Sequence, residues 1–146
     1  MALASKMDDD GSRVFTLLGD GELQEGLVWE AAMAAGHYKL NNLLAFVDWN
    51  GLQIDGENDK VMTVKPIDEK FRAFGWHAQV IDGHNFDEIF AALDEAKKIA
   101  DKPSVIIAHT HKGQGVSFMQ DNAGWHGKAP DEEQAKQAVK ELGGQW

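Results

Sequence analysis

Cysteine is absent from the 146 residues, so there is no disulfide framework, no thiolate nucleophile and no zinc–thiolate site, and a reducing, cytoplasmic setting is the expectation. Basic residues are scarce: 14 Lys and Arg stand against 24 Asp and Glu, a net charge of −10. That balance opposes nonspecific nucleic-acid binding, and an anionic ligand needs a local site of backbone amides and metal instead of a basic surface. Long apolar runs are missing too. Met1 to Met7 is too short for a secretory core and runs straight into Asp8-Asp9-Asp10, and no stretch reaches membrane-spanning length. No internal repeat, linker or low-complexity tract divides the chain.

What is present is a 43% hydrophobic, 26% charged composition, that of a single globular domain over residues 1–146. Arg13 to Leu18 and Leu43 to Val47 are short apolar runs that read as buried strands, closed by Gly19-Asp20-Gly21 and by Asp48-Trp49-Asn50-Gly51. Between them Leu23, Leu27, Val28, Ala31, Ala32, Ala35 and Leu40 recur at helical spacing, which predicts a helix from Glu22 to Tyr38. Leu52 to Lys65 reads as a polar loop. Pro66 then opens a short helix to Phe74, Trp76 to Ile81 a third strand, Phe86 to Ala100 a helix and Ser104 to Ala108 a fourth strand. Lys112 to Ala129 is glycine-rich and irregular, and Pro130 to Leu142 is a charged amphipathic helix. This alternation predicts an α/β fold, a mostly parallel sheet flanked by helices.

In such sheets ligands bind beyond the carboxyl ends of the strands. Asp20 and Asn50 both follow strand ends. If those strands are neighbours, a carboxylate and an amide oxygen converge on one point, a hard, oxygen-rich setting suited to Mg²⁺ or Ca²⁺. Gly19 and Gly21 permit close backbone approach to a phosphate, and the helix expected to start near Glu22 aims free amides at it. A Rossmann dinucleotide unit fits less well, because Gly19-Asp20-Gly21 lacks the third glycine.

The same residues resemble the transketolase family. The match runs through Leu18-Gly-Asp-Gly-Glu-Leu-Gln-Glu-Gly26, Trp29-Glu30-Ala31, Asn50, Leu52-Gln-Ile-Asp-Gly56, Phe71-Arg-Ala-Phe-Gly-Trp76 and Ile81-Asp-Gly-His84. It continues through Lys112-Gly-Gln-Gly-Val-Ser-Phe118 and Trp125-His-Gly-Lys-Ala-Pro130. The resemblance implies a thiamine-diphosphate-binding fold in which Asp20, Asn50 and the Leu52 carbonyl hold the metal. Gly19, Gly21, Glu25, Lys112 and Gly113 would then lie along the cofactor, and His126 would approach both the diphosphate and the substrate. It also implies that Glu25 and Glu30 join an acidic network at a dimer interface. His84 is expected to cap a turn and His37 and His77 to be structural; His109 and His111 end the fourth strand without a role.

Against the family pattern, Met1-Ala-Leu-Ala-Ser-Lys6 resembles the inside of a transketolase helix, so the fold is expected to be incomplete at its N-terminus. The pyrimidine-binding domain, whose glutamate activates the cofactor, is also expected elsewhere. A complete enzyme of this kind moves a two-carbon ketol unit between sugar phosphates. This chain is expected to be inactive alone, to form homo-oligomers, or to need a partner in the form of a pyrimidine-binding domain or C-terminal subunit. The competing expectation is a noncatalytic module that binds metal and diphosphate, or an interaction module.

Overall fold

A computed structural model describes all residues 1–146. Helix α1 (Ala2–Asp8) leads into β1 (Val14–Gly19), a 3₁₀ turn (Asp20–Gln24), α2 (Gly26–His37) and β2 (Leu43–Trp49). A two-stranded hairpin follows, β3 (Leu52–Gln53) and β4 (Gly56–Glu57), then α3 (Asn58–Val61) and α4 (Ile67–Ala73). The second half runs β5 (His77–Asp82), α5 (Phe86–Lys98), β6 (Ser104–His109), a 3₁₀ turn (Ala123–Trp125) and α6 (Glu132–Glu141).

Four strands form one parallel sheet in the order β1-β2-β6-β5. The two central strands carry the most continuous apolar runs because both of their faces are covered. On one face Ala45, Val47, Val105 and Ile107 pack with Ala32 and Ala35 of α2, Ile67 and Phe71 of α4, and Trp76. On the other, Leu44 and Ile106 meet Ala92 and Ala96 of α5. Indole N–H groups tie the first layer to the backbone: Trp76 Nε1 donates to Ala32 O at 2.9 Å, and Trp29 Nε1 to Leu23 O at 2.8 Å. Where α2 crosses the end of α4, Gly36 is obligatory. A Cβ there would stand 1.9 Å from Phe74 O.

The expected four strands and their parallel sense hold, with ends shifted by one or two residues. The single helix over Glu22 to Tyr38 does not form. Glu25 adopts extended dihedrals (φ −80°, ψ 130°) and separates the 3₁₀ turn from α2. The apolar periodicity spans the break because Leu23 is buried from the 3₁₀ turn while Ala32 and Ala35 are buried from the helix. The expected loop from Leu52 to Lys65 also contains structure, the β3–β4 hairpin and α3. No helix is long and apolar enough to cross a membrane.

Candidate diphosphate and cation site

Strands β1 and β2 are direct neighbours, with Gly19 opposite Asp48, so Asp20 and Asn50 emerge side by side at the carboxyl edge of the sheet. They line one cleft of about 590 Å³ together with Gly19, Gly21, Glu25, Leu52, Lys112 and His126. Each arrives by its own route. Asp20 opens the 3₁₀ turn immediately after β1, a turn capped by Gly19, whose N–H donates to Glu22 Oε2 at 2.6 Å. Asn50 ends the β2 run in a tight turn, its Oδ1 accepting from Leu52 N at 3.0 Å. Lys112 and His126 come from the glycine-rich tail, folded back over the sheet edge.

Asp20 is the electrostatic centre. It is 1% exposed, and burial pushes its carboxyl above the usual carboxylate range, with neighbouring Asp48 adding to the rise. Opposing this, Gly51 N donates to Asp20 Oδ2 at 2.6 Å. Asp48 in turn accepts from Thr110 Oγ1 and, at 3.3 Å, from Asn50 Nδ2. Two carboxylates and an amide oxygen thus crowd the ends of two neighbouring strands, an arrangement that favours binding of a cation.

Gly113 and Glu30 stand outside the cleft. Gly113 takes φ +70° and packs against Met119, where a Cβ would stand 2.7 Å from Met119 Cβ, so it shapes the loop that carries Lys112. Glu30 is on the exposed side of α2. The helix expected to aim its amides from Glu22 is replaced by the 3₁₀ turn, while α2 starts at Gly26.

His84, expected to cap a turn, lies in the turn after β5, where its N–H donates to Asp82 Oδ1 at 2.9 Å and its Nε2 accepts from His111 N at 2.8 Å, while Asn85 caps α5. The His111 ring pairs with Asp121 at 3.0 Å, and His109 stacks on Trp49 with ring centroids 3.8 Å apart. These contacts pin both ends of the loop 111–121, since Asp121 N also donates to Lys112 O at 2.8 Å. His37 is exposed in the last turn of α2, and His77 Nε2 is buried without a partner.

Sequence reasoning passed over several lining residues, among them Asp48, Gln24 and Gln53. Asp48 was within reach of it, because it stands two residues before Asn50 at the end of the same apolar run. Gln24 and Gln53 carried no such signal. They meet only because the hairpin folds onto the 3₁₀ turn, with Gln24 Nε2 donating to Gln53 Oε1 at 2.6 Å and to Met62 O at 2.8 Å.

Residues 4–145 match the family described as the transketolase, thiamine diphosphate binding domain. The chain belongs to that family. It is 48% identical over 142 residues to the 6-deoxy-6-sulfo-D-fructose transketolase subunit SqwG of Clostridium sp. (strain MSTE9), covering 97% of this chain and 52% of that protein. An apulose-4-phosphate transketolase subunit of Phocaeicola vulgatus is 42% identical over 145 residues, with coverage of 97% and 50%. The transketolase of Campylobacter jejuni superposes with a TM-score of 0.91 at 33% identity, over 99% of this chain and 24% of that one. The chain therefore spans about half the length of the two relatives named as subunits and about a quarter of the Campylobacter transketolase. The parallel sheet with helices on both faces is the family fold.

Proposed function

We propose that this chain is the diphosphate-binding part of a transketolase-type transferase, holding thiamine diphosphate through a divalent cation at the carboxyl ends of β1 and β2. The observation that carries this reading is the convergence of Asp20, Gly21, Asn50 and Leu52 with Lys112 and His126 on a single cleft.

The residues suit such a group. Their donors are oxygens, which match Mg²⁺ or Ca²⁺ and not a thiophilic metal. No group of three His, Cys, Asp or Glu side chains could hold a metal unaided, so a cation here needs amide and carbonyl oxygens and the ligand's own phosphates. Asp20, Asn50 and the Leu52 carbonyl would hold the cation. Gly21, packed so that a Cβ would stand 3.2 Å from Gln53 Cβ, brings a bare backbone to the cleft for a phosphate, and Lys112 and His126 line the same cleft with a positive charge and a proton carrier. Bound thiamine diphosphate supplies the carbon nucleophile for ketol transfer. The protein's share is to anchor the diphosphate and to exclude water with the loop that carries His126.

Glu25 at the cleft rim and exposed Glu30 are read as facing a second subunit. Sugar phosphates are the proposed substrates of the assembled enzyme, which includes a pyrimidine-binding domain or subunit. Calorimetric titration tests the cleft: thiamine diphosphate binds in the presence of magnesium, and EDTA or Asp20→Ala abolishes the signal. Equal binding by the Asp20→Ala variant contradicts the reading.

A further inference from the structure

Asn58 is the first residue of α3, and a chain of backbone contacts ties it to the cation-binding turn. Its N–H donates to Gly51 O at 2.9 Å, while Gly51 N donates to Asp20 Oδ2 at 2.6 Å. The side chain turns inward and is 3% exposed. Its Oδ1 is 3.8 Å from the point where a Cβ on Gly21 would stand, and its amide is near enough to Asp20 to favour the ionised carboxylate. Yet neither Nδ2 nor Oδ1 makes a hydrogen bond of normal geometry, and the amide only leans toward the Asp20 carboxylate.

A primary amide carries two donors and an acceptor oxygen. Burying one with none of them well paired is unusual in a native chain and calls for an explanation. Filling space does not supply it, because leucine has nearly the same shape and no desolvation penalty. The surrounding polar groups are committed elsewhere: Gln24 clamps Gln53 and Met62 O, and Asp20 Oδ2 takes the Gly51 amide. The 3₁₀ turn is thus already fastened to the β3–β4 hairpin and to the residue after α3. Asn58, between these clamps, is the buried group on that seam left without a well-formed bond.

We propose that Asn58 is a positioning residue for the cation–diphosphate cleft, its amide short of a well-formed bond in the free chain and closing onto the Asp20 carboxylate and the Gly21 backbone when the cleft fills. The residue is too buried to reach the ligand itself. It acts through Asp20, setting the carboxylate's direction and coupling ligand binding to the seam between the 3₁₀ turn and α3. The amide costs the empty chain stability and returns it in the loaded one, a pattern seen where strain is stored at functional sites.

This inference rests on the proposed reading of the cleft, and the test separates the two. The full chain and the variants Asn58→Leu and Asn58→Ala are titrated with thiamine diphosphate in magnesium, and each is melted with and without those ligands. Both variants are expected to bind roughly tenfold more weakly, about 1.4 kcal/mol. Asn58→Leu is expected to melt no lower than wild type when empty, so that the variant's deficit appears only in the ligand-induced rise. Unchanged affinity in a folded variant overturns the inference while leaving the cleft reading intact. An affinity loss matched by an equal loss of ligand-free stability in both variants also overturns it, because that marks a merely structural role. No binding by the wild type overturns both. One readout needs no variant: the Asn58 side-chain amide protons in the wild-type nuclear magnetic resonance spectrum move downfield and gain exchange protection on loading. Amide signals that ignore the ligand overturn the inference.

Discussion

Asp20 pays for its position. Desolvation holds its carboxyl above the ordinary range, so the folded chain keeps this proton more tightly than the unfolded one. By linkage, the penalty is absent below the ordinary carboxylate range, grows as pH rises toward the raised folded value, and is complete above it. Asp20→Asn keeps an oxygen for the Gly51 amide and removes the charge. At pH 7 without ligands, this variant is expected to melt above wild type, while its cation-dependent binding of thiamine diphosphate falls by roughly 100-fold or more, about 2.7 kcal/mol. Differential scanning fluorimetry beside calorimetry checks both, and a variant that melts lower when empty contradicts the electrostatic account. Glu141 behaves oppositely. Hydrogen bonds from Gln137 and Ser117 hold its carboxyl below the usual range, so its contribution is present at neutral pH and lost as pH falls through that lowered value. Asp20 and Asn50 were legible in the sequence because each follows an apolar run and sits among glycines. Asn58 was not, since its burial is decided by where α3 folds after the hairpin, a non-local event with no periodic signature.

At the level of elements, the strands were readable because central strands of a parallel sheet are buried on both faces and become continuous apolar runs, as Leu43 to Val47 and Ser104 to Ala108 show. The break at Glu25 was hidden, because hydrophobic spacing reports which residues face the core and not whether the backbone between them is continuous. The hairpin was equally hidden, two residues per strand being too short for any alternation. Packing between elements yields a sharp expectation at Gly36, where α2 rests on Phe74 O. Gly36→Ala raises intrinsic helix propensity yet forces the two elements apart, and is expected to destabilise the chain by about 3 kcal/mol. Urea unfolding checks it, and a neutral or stabilising result would show that this crossing is loose. On the opposite side, Ser117 N and Oγ donate to the Glu141 carboxylate at 2.6 and 2.8 Å, fastening α6 to the loop that follows Lys112. Glu141→Ala is expected to speed amide exchange through α6 and at Ser117 while sparing β2 and β6. Uniform exchange changes would contradict that local role.

Taken whole, the molecule leaves apolar surface open on the side of its edge strand. Phe15 and Leu17 of β1 face the α5 side of the sheet, where Leu17 is 73% exposed, and an apolar groove of about 240 Å³ lies between α2 and β1 with Leu27 at its rim, 74% exposed. Parallel sheets are normally covered on both faces, and open patches of this kind favour assembly. The isolated chain is therefore expected to self-associate or to pair with a complementing chain, and to show no ketol transfer alone, since the pyrimidine half of the cofactor belongs, on the proposed reading, to another domain or subunit. Light scattering beside a ketol-transfer assay tests this, and steady turnover by a monomer contradicts it. The central claim, that the edge of β1 and β2 is a cation-assisted diphosphate site, is tested most directly by crystals grown with thiamine diphosphate and Mn²⁺ in place of magnesium. Diffraction at the manganese edge is expected to give an anomalous peak within coordination distance of the Asp20 carboxylate, the Asn50 side-chain oxygen and the Leu52 carbonyl, next to diphosphate density at Gly21. Cofactor density with the manganese peak away from those three oxygens, or a cleft left empty at saturating ligand, would contradict it.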